Sequence, residues 1–259
     1  MQKRSCLIFA ATSLLSGAAP AADDNQLLLG GGLAVESRYA GSDRNKAAPL
    51  VLLDYSHASG FFASTLRGLG YGGHAGPFSY SAALGYRGGR KDKNQRSLFG
   101  NTGSEELKGM GDIKGNPSAE LSLGFKPLSM LELTLSAELP LARRENGKTL
   151  HAGIAAQLLS GGADNLSLAL TAGFGDSKYL QTYHGVTAAQ AATSGFSAYR
   201  PKAGLYEGSA MLTWEHTFDP RWSATTMLGT TQLLRDASRS PLTKRKTSPA
   251  AGFYVSYAY

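Results

Sequence analysis

Past residue 6 the 259-residue chain has no cysteine. Everything downstream of Cys6 therefore lacks disulfides, a thiol nucleophile and any cysteine-based metal site. Also missing is any apolar run of 18 residues, which excludes a membrane-spanning helix. Histidine is scarce at 5 residues. His151 and His216 fall in strand-like segments with neither the H-x-x-x-H spacing nor a nearby carboxylate pair suited to zinc. Glycine, by contrast, is abundant at 32 residues, and the mean hydropathy is slightly negative at −0.19.

The first residues read as an export signal. Lys3 and Arg4 form a basic n-region, Cys6 to Leu15 an apolar h-region, and Ala19-Pro20-Ala21 a small-residue cleavage site. Residues 1–21 are thus expected to be a cleaved signal peptide and 22–259 the mature domain. No L-x-[AG]-C lipoprotein pattern surrounds Cys6. The formal charge of +7 falls to +5 without Lys3 and Arg4. The excess sits mainly in 87–96 and in the stretch from Arg235 to Lys246. Basic segments on an exported chain have lipid phosphates within reach, and nucleic acid is an improbable partner.

In 131–139, LELTLSAEL, apolar side chains stand at every second position. That period is a strand with one apolar and one polar face. The same alternation returns in Leu27 to Tyr39, Phe78 to Arg87, Ala119 to Lys126, Leu150 to Leu158 and Leu166 to Phe174. Segments of this kind are long enough to cross a bilayer at a tilt. Short turns, such as Pro127-Leu128-Ser129, 160–165 and Asp219-Pro220-Arg221, alternate with long polar segments at 87–115, 176–203 and 234–249. Aromatics gather at strand ends. The expected fold is all-β: an up-and-down antiparallel transmembrane β-barrel with its leucines towards lipid. Eleven strands are directly legible, and single-chain bacterial barrels normally carry an even number. Twelve follow if 61–73 holds two short strands or part of 176–186 adds one; dropping a weak strand leaves ten.

No catalytic constellation emerges, and no cofactor is implied. His57 and Ser59 lie two apart, but SHASG reads as a tight turn with no identifiable acidic partner. Glu132 and Glu138 share a face about 20 Å apart, too far for paired acid–base work. The polar strand faces are rich in Ser, Gly, Ala and Thr, with Arg38, Arg67, Glu120, Lys126, Glu132 and Glu138 as candidate lumen lining. Such a lining suits either a narrow aqueous pore or an interior filled by charged pairs. Phe253, Val255, Tyr257 and Tyr259 share a face at the C-terminus, in the manner of a barrel-assembly signal, although Phe is the usual last residue.

Three further segments are similar to the MltA-interacting protein family (MipA/OmpV) of Gram-negative outer membranes. They are Tyr39-Ala40-Gly41-Ser42-Asp43, then YHGVTAAQAATSGFSAY (183–199), then Asp236-Ala237 followed by Ser240-Pro241-Leu242. His184 departs from the aromatic frequent in the family. The resemblance implies a non-enzymatic barrel in the cell outer membrane, among lipid and lipopolysaccharide. It also implies a scaffold that holds a lytic transglycosylase together with a penicillin-binding protein in the periplasm. A narrow channel for small solutes is the alternative. No catalytic residues come with the family. Its signature residues here are Tyr39, Gly41, Ser42, Asp43, Tyr183, Gly185, Val186, Ser194, Gly195, Tyr199, Asp236, Ser240 and Pro241, and they fall mostly in expected loops. A structural role is expected of them, with Gly and Ser-Pro setting turns and Asp43 and Asp236 accepting hydrogen bonds from loop backbone.

Overall fold

The computed structural model describes residues 25–97 and 100–259, so the expected signal peptide lies outside the described residues. Strands β1 (Gln26–Ser37), β2 (Asn45–Ser56), β3 (Phe61–Ser64), β4 (Gly68–Ala75) and β5 (Phe78–Arg87) come first. A loop hairpin, β6 (Gln95–Ser97) and β7 (Gly100–Thr102), separates them from β8 (Asn116–Leu128). Then follow β9 (Leu131–Pro140), β10 (Thr149–Gly161), β11 (Asp164–Gly175), β12 (Gly204–Thr217), β13 (Trp222–Leu233) and β14 (Thr247–Ala258). All except the hairpin join one closed antiparallel barrel, in which each strand pairs with its chain neighbour and β1 pairs with β14. The barrel therefore has the twelve strands expected. The twelfth arises because 61–73 does hold two short strands, β3 and β4, joined by a turn at Thr65–Arg67.

Closure depends on glycine. A methyl group on Gly32 would run into the Phe253 carbonyl and the Tyr254 backbone, so only the bare backbone lets β1 lie against β14. The opposite face of β1 carries Leu33 and Val35, exposed together with Val51, Leu84, Leu123, Leu133, Leu135, Ile154, Leu170, Leu228 and Phe253. In water such a band would cost tens of kcal/mol of apolar hydration, on the order of 25 cal/mol per Å². Against lipid it is the surface that a transmembrane barrel presents. The leucines of LELTLSAEL lie in this band, and Glu132, Thr134, Ser136 and Glu138 point inside.

The interior has two unlike walls. On β1, β2, β12, β13 and β14, Ala34, Leu50, Leu52, Met211, Met227 and Tyr254 form a buried apolar cluster that Leu66 joins from the β3–β4 turn. On the remaining strands the inward positions are mostly small or polar, with Phe62 of β3 an aromatic exception, and ion pairs stand there and at the ends of β1 and β2. Arg67 pairs with Asp54 (2.6 Å) and lies over the Phe62 ring, and Arg87 pairs with Glu138 (2.8 Å). Lys126 stands 3.7 Å from Glu132, and Lys46 3.1 Å from Glu36. A β-bulge where β12 meets Gly173 and Phe174 breaks the alternation. It leaves Tyr206 buried in place of an outward position, with its hydroxyl 3.1 Å from His151 Nε2.

The two faces predict opposite tolerances. Leu133→Arg should cost about 2–4 kcal/mol of barrel stability, as cations at mid-bilayer on a barrel's lipid face do. Thr134→Arg on the adjacent inward position should cost markedly less. Equilibrium refolding into phospholipid vesicles across urea measures both, and equal costs would reverse the assignment of faces.

Candidate functional site: a packed loop layer at the barrel mouth

Turns of a few residues close the strands at one end, while every long connection leaves from the other. These long loops fold into local structure. Helix α1 (Ser177–His184) starts where the Asp176 carboxylate accepts from the Tyr179 amide at 2.7 Å. Helix α2 (Ala188–Ser194) opens with a capping box between Thr187 and Gln190 and ends at Gly195, whose φ of 76° is left-handed. A single helical turn, α3 (Arg235–Ser238), lies in the β13–β14 loop.

These loops share a core. Tyr39 from the β1–β2 loop, Leu107 and Met110 from the β5–β8 loop, Val186 from the β11–β12 loop and Leu242 from the β13–β14 loop form one buried cluster. Ala191, Phe196 and Tyr199 pack against it. The β11–β12, β13–β14 and β1–β2 hairpins are consecutive around the ring, whereas β5 and β8 stand on its other side, so the core reaches across the mouth where the β5–β8 loop brings Leu107 and Met110 to the other three. A second cluster, Leu180, Tyr206, Leu233 and Ala237 with Tyr179, ties α1 and α3 to the tops of β12 and β13.

The signature residues from three loops meet in this layer. Tyr39 Oη donates to the Leu242 carbonyl (3.1 Å) and lies 3.3 Å from Glu106 Oε2, and its phenol pKa is raised, first by burial and then by Glu106. The Gly41 carbonyl accepts from the amides of Lys244 (2.7 Å) and Arg245 (3.0 Å). Gly41 has φ 96°, and a side chain there would stand 3.0 Å from the Thr243 Cα, so the approach requires glycine. Fully buried Ser42 accepts from the Arg44 amide at 3.1 Å. Val186 and Tyr199 exchange two backbone bonds of 2.8 Å, and Tyr199 Oη donates to the Asp236 carbonyl. Asp236 Oδ2 accepts from the Lys202 amide (2.8 Å). That bond, followed by the one from Arg239, lowers its carboxyl pKa. Ser240 Oγ donates to the His184 carbonyl at 2.6 Å and accepts from the Leu242 amide, shaping the turn through Pro241. The Tyr183 carbonyl accepts from Arg90, the amide of Gly185 closes α1 onto Gln181, and Ser194 Oγ bonds the Gln190 carbonyl. Asp43 is different. It is exposed, and among the described residues its contribution is charge beside Tyr39, not a hydrogen bond to loop backbone.

The lumen candidates divide. Glu120, Lys126, Glu132 and Glu138 project inward from β8 and β9, and Arg67 does so from the β3–β4 turn. Arg38 is corrected: it follows the end of β1, within the loop layer, and hydrogen-bonds Asn94. There Ser37 is the last residue to pair with β2, and the backbone turns away to make the Arg38–Arg44 bond. Arg87 was not among the candidates. Its Nη1 donates to the carbonyls of Asn146 (3.1 Å) and Gly147 (3.0 Å), and its guanidinium lies 5.1 Å above the Tyr179 ring, joining lumen to loop layer. Its parity with Ser79, Ser81 and Ala83 was the available signal. His57 Nδ1 does lie 2.8 Å from Ser59 Oγ, but it also accepts from the Ser59 amide. This is a local turn, and among the described residues no carboxylate joins it. Phe253, Val255 and Tyr257 lie on the lipid face of β14, with Tyr259 just past its end.

The family profile described as "MltA-interacting protein MipA" matches residues 29–259. The chain belongs to the MltA-interacting protein family. A comparison with curated proteins finds no match. Among solved structures, the KdgM porin shares 12% identity at a TM-score of 0.46, over 90% of this chain and 99% of that one. An outer-membrane channel from Pseudomonas putida F1 shares 11% at 0.45, over 91% and 96%. OmpT of Vibrio cholerae shares 10% at 0.41, over 91% and 97%.

His184 gives the layer a pH dependence. Its ring is buried, neither nitrogen has a partner among the described residues, and burial, then the Arg90 charge, lower its pKa to about 3. The unfolded loop binds this proton near pH 6.5, and the packed loop does not. Its contribution to stability is therefore complete above about pH 6.5 and is lost progressively as pH falls towards 3. Amide hydrogen exchange across 177–199 should accelerate over that window. His184→Leu should flatten the response, and an unchanged profile in that variant would remove His184 as its origin.

Proposed function

We propose that this protein is a non-enzymatic outer-membrane barrel that acts as a scaffold, with its outer mouth sealed by the loop layer and its partners engaged from the periplasm. The observation that carries this reading is the core shared by Tyr39, Leu107, Met110, Val186 and Leu242. An open porin keeps its mouth wet, whereas here the β5–β8 loop crosses from the other side of the ring to pack against three neighbouring hairpin loops. Family membership and a lipid-facing barrel wall support a Gram-negative outer membrane. The family's description supports a lytic transglycosylase as one partner, and a penicillin-binding protein is the second that this role requires.

A periplasmic enzyme meets the short turns. Those between β8 and β9 and between β12 and β13 present Met130 and Phe218, both more than half exposed. A photo-crosslinking residue at either position should capture a murein-cleaving transglycosylase in cells, and one at Lys108 in the outer loops should not. Capture from Lys108 alone, or from neither end, would contradict the scaffold.

One feature favours the second reading, a narrow solute channel. Gly85, Gly124 and Gly153 place bare backbone along the charged wall, where Glu120, Ser79, Glu132 and Thr134 occupy the space a side chain would take. That wall is polar enough to hold water between its ion pairs.

A further inference from the structure

Charge is divided sharply between the two ends of the chain's architecture. The outer loops (38–44, 88–115, 141–148, 176–203 and 234–246) hold 19 Lys and Arg against 8 Asp and Glu. The strands and opposite turns, from residue 25 onwards, hold 5 against 9. Among the described residues, carboxylate partners hold only Arg44, Lys91 and Arg239 of the loop cations. Arg38, Arg90 and Arg245 are taken up by neutral acceptors within the layer, and the exposed lysines remain available to an anion outside the chain.

One part of this layer adjoins a cavity on the lipid-facing wall. A groove of about 270 Å³ opens where β12, β13 and β14 meet their loops, lined among others by Gly208, Ala210, Thr230, Gln232, Leu234 and Thr247. Thr230 and Gln232 share the face of β13 that carries exposed Leu228, and Thr247 shares the face of β14 that carries Phe253. The groove is therefore on the outside of the barrel, with hydroxyls and an amide where the band below is apolar. Lys244, Arg245 and Lys246 lead directly into Thr247. Arg245 is held on the outer side by Ser37 Oγ (3.2 Å) and Asn45 Oδ1 (2.7 Å), and its buried Nε has no acceptor among the described residues. Lys244 and Lys246 are exposed, Lys244 with its ammonium 5.6 Å above the Phe196 ring at the edge of the loop layer.

We infer that this groove and the Lys244–Lys246 run bind the phosphorylated saccharide headgroup of an outer-leaflet lipopolysaccharide. The threonine hydroxyls and glutamine amide of the groove take sugar, its Ala210 and Leu234 give the apolar floor a saccharide ring packs on, and the cations take phosphate. The location selects the ligand. At the outer rim of a lipid-facing wall, an acylated and phosphorylated saccharide is the anion held at that depth, whereas a soluble polyanion has no reason to enter a groove that faces lipid. Basic groups next to an anionic leaflet each strengthen binding about fivefold at low salt, which lysine substitution should reverse.

The test uses the full mature barrel refolded in detergent, with purified lipopolysaccharide, its dephosphorylated form and heparin as probes. Lys244→Gln with Lys246→Gln should weaken lipopolysaccharide binding about 25-fold at low salt and leave binding of the dephosphorylated form nearly unchanged. Gly208→Leu should fill the groove and weaken both forms. A first side-chain carbon there meets Leu234 only at ordinary contact distance, 3.6 Å, so the barrel should still fold, which far-ultraviolet circular dichroism checks. Heparin binding should be insensitive to Gly208→Leu. The inference is overturned if the lysine variant binds lipopolysaccharide like wild type. It is also overturned if Gly208→Leu leaves lipopolysaccharide binding intact while the lysine variant loses lipopolysaccharide and heparin alike, because the loops would then be a general polyanion surface.

Discussion

Every other feature depends on the pairing of β1 with β14. In lipid an unpaired strand edge leaves backbone N–H and C=O groups without water, and each such group costs several kcal/mol. The seam removes both edges at once, and it requires close approach of backbones at Gly30 and Gly32. Once the ring is closed, parity decides which side chains meet lipid and which meet the interior, except where the β12 bulge buries Tyr206. All long loops then leave from one rim, and this is the condition for their packing on one another.

The interior and the loop layer are mechanically connected. Arg87 is paired below with Glu138, bonded above to the carbonyls of Asn146 and Gly147, and stacked beneath Tyr179 of α1. The β12 bulge adds Tyr206, which reaches down to His151 and across to Tyr179 and His184. These contacts hold α1 from below while Tyr39, Val186 and Leu242 hold the layer from above. A layer fixed on both sides resists rearrangement more than a loose loop, because moving it would break both sets of contacts. The basic loop surface and the acid-rich barrel stand on either side of this packed layer.

The lipid-facing half of this architecture was legible in the sequence. LELTLSAEL and its repeats have polar residues in alternate positions, so parity could be read without coordinates. The apolar interior wall was not legible, because residues 47–53 (AAPLVLL) are apolar throughout and parity leaves no mark there. The split into β3 and β4 was foreseen only as one of two ways to twelve strands, since both strands are too short to show a period. The signature residues lie in the loops, where most were expected, but their convergence depends on contacts between segments up to 203 residues apart, as Tyr39 and Leu242 show. Local cues were nonetheless present: Asp176 ahead of α1 and the T-x-x-Q of Thr187 and Gln190 are helix starts readable from sequence.

The central claim is that the loop layer seals the outer mouth. Single-channel conductance in a planar bilayer tests it most directly, with the refolded wild-type barrel compared with Leu242→Asp, which buries a charge in the shared core. A silent wild type and discrete, reproducible openings in Leu242→Asp are the result this account predicts. Stable openings in the wild type that Leu242→Asp leaves unchanged would contradict it.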